Sequence, residues 1–257
     1  MIRYKNQKQI DGIRTSCRLL CAMYKDLSPL VVSGTRTIDL DMWAQDWIKK
    51  HGGKPAFLGF GPKKYPFPGA LCISINDEVI HGIPGKRKIK EGDLVSIDSG
   101  INLNGFISDK SVTYEVGKVS PEAHKLNEIT RQCLYKGIEA AKAGDRLFCI
   151  GRAVETLAKA HGYGVVRDFC GHGVGLEVHE DPAISNTPHD GPNPRMREGM
   201  VLAIEPMINL GSGDVEILED NWTVVTTDNM LSSHWEHTIA IFKDHTEILT
   251  EDTEDLV

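Results

Sequence analysis

The sequence predicts an α+β chain made of two similar halves, about residues 1–119 and 120–250, each with helices packed on antiparallel-rich strands. Three observations lead there. Helix-like text gives way to short alternating apolar runs twice within 257 residues. The stretch Lys88 to Asp98 (KIKEGDLVSID) matches Arg195 to Glu205 (RMREGMVLAIE) at a constant separation of 107 residues, with basic residues, Glu-Gly, an apolar run, Ile and a carboxylate in the same order. Gly34 and His51-Gly52 recur as Gly144 and His161-Gly162 at a separation of 110.

Taken in order, Ile13, Cys17, Leu20, Cys21 and Tyr24 fall on one face of a first helix, where the two cysteines read as small apolar-face residues. A second helix is predicted to start at Thr37 as N-cap, with Asp39 and Asp41 favouring its first turn. It buries Leu40, Trp43, Ala44, Trp47 and Ile48, and ends at His51-Gly52-Gly53. From 55 to 119 the text turns to Pro/Gly turns and runs such as Cys72 to Ile75 and Leu94 to Ile97, which read as strands. Ser120-Pro121 opens a third helix to about Ala143, stopped by Gly144, and a fourth runs from about Leu147 to Ala160. Loops and strands follow to Thr250. The repeat predicts that Asp98 and Glu205 each end a strand and meet at a cleft between the halves, the whole chain 1–257 forming one catalytic domain.

Composition narrows the function. With 40% hydrophobic and 25% charged residues the chain has enough apolar text for a sizeable core. A net charge of −7 leaves no basic footprint for a phosphate backbone, so nucleic acid is not an expected direct partner. No run of 18 apolar residues is present and the opening MIRYKNQKQI lacks the apolar core of a signal peptide, so no membrane is expected and the location read from the sequence is cytoplasmic. The six cysteines form no CxxC pair and are expected as reduced thiols.

Four acids interrupt apolar strand text: Asp98 after LVSI, Asp109 in GFISDKSVTY, Glu205 in VLAIEPMI and Glu236 before HTIAIF. A buried carboxylate without a partner costs several kcal/mol or neutralises, and these strands supply no matching Arg or Lys for each acid. Cations are the expected compensation. His172, between glycines in GHGVG, adds one imidazole, and this oxygen-rich set suits Mn, Fe(II), Co or Zn.

The segments Ser74 to Pro84 (SINDEVIHGIP), Ile97-Asp98 with Asp109 eleven residues on, GHGVG around His172, His179-Glu180-Asp181-Pro182, Ile204-Glu205-Pro206 and Glu236-His237-Thr238 resemble the motif set of methionine aminopeptidases. The resemblance covers about residues 70 to 240, and the short span between His179 and Glu205 is similar to the bacterial-style type I form. It implies a pita-bread fold and two divalent metal ions (Co, Mn, Fe(II) or Zn) held by Asp98, Asp109, His172, Glu205 and Glu236. It implies catalytic and substrate-contacting roles for His81 and His179, with Glu205 shuttling a proton. Cys72, Phe67, Tyr65 and Trp222 are implied to line a methionine slot, with Val178 beside it. The implied substrates are N-terminal methionyl peptides of nascent proteins with a small second residue, the implied partner is the ribosome, and the expected state is a monomer. One departure is Lys110, where the family carries a small or hydroxyl-bearing residue; strand alternation points it away from Asp109, as a solvated charge. Competing readings are another pita-bread peptidase of the X-Pro aminopeptidase or prolidase type, and a non-catalytic binding protein of the same fold.

Overall fold

In the computed structural model, which describes residues 1–251, α1 (Gln7–Leu27) opens with a capping box: the Asn6 side chain accepts from the Gln9 N–H and the Gln9 side chain accepts from the Asn6 N–H. Ile13, Cys17, Leu20, Cys21 and Tyr24 are all buried along one face of this helix. α2 (Thr37–Lys50) has Arg36, not Thr37, as N-cap. The reason lies across the chain: Arg36 forms a β-bridge with Lys88, and the Thr37 hydroxyl is taken up by Gly85, whose N–H it accepts at 2.8 Å.

The strands of the first half are β1 (Lys54–Pro55), β2 (Leu71–Ile75), β3 (Glu78–Ile80), β4 (Leu94–Leu103) and β5 (Phe106–Glu115). Asn104 and Gly105, both at positive φ (54° and 87°), close β4 and β5 into a hairpin with Leu103 opposite Phe106. β4 therefore runs well past Asp98. The expectation that Asp98 ends its strand is corrected to a position in the strand interior, because the tight turn keeps the ladder going to Leu103.

In the second half, the Ser120 hydroxyl caps α3 (Pro121–Ala140) by accepting from the Ala123 N–H, as the sequence predicts, and the helix stops three residues short of the expected Ala143. α4 (Phe148–Ala160) follows, then β6 (Gly164–Val165), β7 (Gly171–Gly173), β8 (Glu180–Ile184), β9 (Val201–Ile204), β10 (Met207–Asn209), β11 (Val215–Ile217), β12 (Val224–Thr226), β13 (Ser232–His234), β14 (Glu236–Ile241) and β15 (Thr246–Ile248). Glu205 stands immediately after β9. Residues 252–257 of the expected single domain lie outside the described residues.

Among the described residues the main sheet has nine strands in the order β1-β4-β5-β14-β9-β7-β8, with β2 added on β4 and β15 on β14, every pairing antiparallel. β5, β4 and β1 lie on one side of the β5–β14 seam, and β14, β9, β7 and β8 on the other. Backbone details echo across it: Gly34 and Gly144 sit at φ +97° and +94°, Gly92 and Gly199 at +89° and +86°, and the bridge Arg36↔Lys88 recurs as Arg146↔Arg195. α1 and α2 bury Leu20, Met23, Leu40 and Ile48 against Ile73, Val95 and Ile97 on one half. On the other, Leu134, Ile138 and Ile150 pack on Leu202, Ile204 and Ile239. Each such side chain contributes about 1.5–3 kcal/mol by burial. No helix among the described residues is long and apolar enough to cross a membrane.

Candidate metal centre and substrate cavity

The acids converge because the β5–β14 seam brings the halves together at one level. Asp98 on β4 pairs with Ser111 on β5, and Ser111 pairs in turn with Glu236 at the start of β14. Asp109 lies two residues before Ser111, on the same strand face, and its backbone is clamped by Thr238: its N–H donates to Oγ1 (3.2 Å) and its carbonyl accepts from Oγ1 (2.7 Å). β9 delivers Glu205 from the far side, and β7 delivers His172, paired with Ala203. The flanking Gly171 and Gly173 make room for neighbouring strands: a Cβ there would fall 2.3 Å from the Ala203 carbonyl and 2.4 Å from that of Asp181.

All five side chains line one cavity. Ligand atoms of Asp109, His172 and Glu236 lie within 4.8 Å of one another, and His172 Nε2 is 3.7 Å from Asp109 Oδ2 and 3.4 Å from Glu205 Oε1. Asp109 and Glu236 are each 2% exposed, and no Lys or Arg lines the cavity. Burial raises these carboxyls: Asp98 is pushed up to about 7, with Glu205 nearby adding to the shift, and Glu205 to about 8. Asp109 and Glu236 are also raised well above the usual range, by burial first and then by their acidic neighbours. Asp98 Oδ1, Asp109 Oδ1 and Glu236 Oε1 are buried with no hydrogen-bond partner. His172 Nδ1 contacts the Gly173 carbonyl at 3.0 Å, an N–H donor geometry that turns Nε2 toward the carboxylates. Orphaned carboxyl oxygens plus one oriented imidazole nitrogen is a donor set that fits divalent cations, which would displace the protons.

Apolar groups line the rest of the cavity. Phe67 and Trp222 meet edge to face at 5.2 Å, with Cys72, Phe57, Phe60 and Val178 completing the wall. Burial raises the Cys72 thiol well above its ordinary value, so this wall is uncharged. His81, in the left-handed region at φ 60°, sets its ring edge-on to Trp222 and Phe169, and burial lowers it to about 4. His179 stands exposed at the mouth, its ring 5.0 Å from Phe60 and 4.2 Å from His172. Tyr65 is 43% exposed and does not line the cavity; its backbone carbonyl accepts from Trp222 Nε1 at 3.0 Å.

Lys110 corrects an expectation. It does point away from the carboxylates, yet it is buried, not solvated: 5% exposed, with Nζ 3.7 Å from Cys21 Sγ and 5.5 Å from the Tyr24 ring centre. The strand face opposite the cavity is covered by α1, whose Cys21 and Tyr24 pack against the Lys110 side chain. Sequence reasoning passed over Phe57 and Phe60, whose signal was two aromatics three apart in a Gly/Pro loop. It also passed over Asn186, whose Nδ2 donates to the Glu205 carbonyl at 3.0 Å, and His234.

A cluster of buried acids and an imidazole at the end of an apolar slot defines a metal-dependent hydrolase site. The comparisons agree. The chain matches metallopeptidase family M24 over residues 11–242 and belongs to that family. It is 52% identical to a methionine aminopeptidase of Treponema pallidum, covering 99% of this chain and 98% of that protein. It is 45% identical to methionine aminopeptidase 1 of Bacillus subtilis, covering 97% and 99%. The crystal structure of methionine aminopeptidase from Thermotoga maritima, 38% identical, superposes with a TM-score of 0.93 over 98% of this chain and all of that one, which makes the fold pita-bread.

Proposed function

We propose that this chain is a type I methionine aminopeptidase that removes the initiator methionine from nascent proteins in the cytoplasm. The observation that carries the reading is that the carboxylate cluster and the apolar slot share one cavity, so a peptide whose first side chain fills the slot presents its first amide to the acids. Asp98, Asp109, His172, Glu205 and Glu236 are the residues that would hold two divalent ions, of Co, Mn, Fe(II) or Zn. Such ions supply a nucleophile from water at neutral pH and offset four carboxylate charges.

The protein's own groups do the rest. Cys72, Phe67 and Trp222 take up an unbranched thioether through sulfur–aromatic contacts worth about 0.3–1.5 kcal/mol. Tyr65 supports that wall through its carbonyl. His179, at the mouth, stabilises negative charge developing on the substrate carbonyl oxygen, and His81 contacts the scissile amide. Glu205 carries a proton on a carboxylate oxygen to the leaving amine. The two halves, about 1–119 and 120–250, are read as an internal duplication of one catalytic domain acting as a monomer at the ribosome; superposing them should bring Asp98 onto Glu205. Specificity is tested by comparing Met-Ala, Met-Lys and Lys-Ala dipeptides with Mn(II)-loaded protein. Methionine release from Met-Ala alone is expected, since a charged first residue has no partner in the slot; comparable turnover of Lys-Ala overturns the reading.

A further inference from the structure

Strand register points to a residue that none of the motifs contains. Asp98 pairs with Ser111, and Glu205, one residue beyond the Ile204↔His237 pair, stands level with Glu236. Ser111 and Glu236 face each other across the seam. The local two-fold of the sheet therefore exchanges Asp98 with Glu205 and Ser111 with Glu236. Two residues before Ser111, on the cavity face, is Asp109. Two residues before Glu236 is His234, so an imidazole occupies the place that mirrors an acid of the cluster.

The contacts give that imidazole a task. His234 Nε2 lies 3.6 Å from Glu205 Oε2, while the other oxygen of the same carboxyl, Oε1, lies 3.4 Å from His172 Nε2. The Glu205 carboxyl is thus bracketed by two rings, one on each oxygen. His234 is 1% exposed and its Nε2 has no hydrogen-bond partner. Its backbone is fixed from both sides, the N–H donating to Thr113 Oγ1 (3.1 Å) and the carbonyl accepting from the same hydroxyl (2.7 Å).

We propose that His234 is a positioning residue for Glu205: its Nε2–H holds Oε2, which leaves Oε1 on the side of His172 and the acid cluster. Contacts of this kind often tighten only when a site is filled, and a small rotation of the Glu205 side chain closes the 3.6 Å gap. The inference rests on the reading of Glu205 given above.

The test compares His234→Leu and His234→Gln in the full chain loaded with Mn(II), using Met-Ala. For His234→Leu, kcat is expected to fall about 10–100-fold, with KM and the number of Mn(II) ions bound unchanged. His234→Gln, whose amide N–H reaches the same oxygen, is expected to recover most of that loss. Independently of activity, long-range proton–nitrogen spectra of the Zn(II)-loaded wild type should show His234 as the Nε2–H tautomer. An Nδ1–H tautomer, a wild-type kcat in His234→Leu, or loss of a metal equivalent in that variant overturns the proposal. If the wild type releases no methionine with any metal, the functional reading fails, and the tautomer still decides His234.

Discussion

The two ends of the cavity are built on opposite terms. At the apolar end Phe67, Cys72 and Val178 are buried among Phe57, Val174 and Ile107 as an extension of the core, so folding itself stabilises the slot. At the acid end Asp98, Asp109, Glu205 and Glu236 are gathered where burial and mutual repulsion favour their neutral forms, so folding alone opposes the ionised site. On the proposed reading, specificity is a by-product of packing, while the chemistry is held in place against the protein's own stability and needs cations to complete it.

Glu236→Gln should separate the two ends most widely. Removing one of the convergent anions should lower methionine release at least about a hundredfold, beyond the loss typical of outer partners of a metal site. The same change should raise the melting temperature of metal-stripped protein, because one source of repulsion is gone. Wild-type turnover with full metal content would remove Glu236 from the ligand set. Trp222→Ala addresses the other end: a roughly tenfold fall in kcat/KM for Met-Ala, carried by KM, with metal affinity unchanged. Loss of metal together with KM would show that the two ends are not separable.

A pH series sharpens the same contrast. In metal-stripped protein Asp98 (about 7) and Glu205 (about 8) keep protons that the unfolded chain has released, so their contribution is present at low pH and is lost as pH rises through those values. The buried histidines work the other way. His81 and His234 (about 4) and His172 and His237 (about 3) favour stability as pH rises, but only up to the unfolded value of 6.5. Above pH 6.5 the acids dominate, and stripped protein should lose up to about 1.4 kcal/mol per pH unit per acid, for Asp98 up to about pH 7 and for Glu205 up to about pH 8. Metal-loaded protein should not. Thermal melts of both forms at three pH values check this, and a stripped form that gains stability over that range contradicts it.

The smallest effect is expected from Lys110→Ala, which removes packing beneath α1: about 1–3 kcal/mol of stability by denaturant titration, with metal affinity at the wild-type value.

What the sequence made legible follows from these terms. The Glu-Gly turn of the sequence repeat has the same backbone geometry at both places, with Gly92 and Gly199 at φ +89° and +86°. The four acids and His172 stood out as polar residues in apolar strands, and the structure brings all five into one cavity. The interior position of Asp98 was missed because the Asn104-Gly105 turn, a strong hairpin signal, went unread. Thr37 has every local mark of an N-cap, and only the bridge between Arg36 and Lys88 moves that role by one residue. Lys110 and His234 were hidden for a common reason: strand alternation says which face a side chain takes, not what covers that face.

The most direct test of the account is to strip the protein with EDTA, add back Mn(II) or Co(II) in steps, and follow the melting temperature and methionine release from Met-Ala together. Both should rise from a low-melting, inactive start and level off as the second equivalent binds. Full methionine release by the stripped protein, or metal binding that raises the melting temperature without any release, would contradict it.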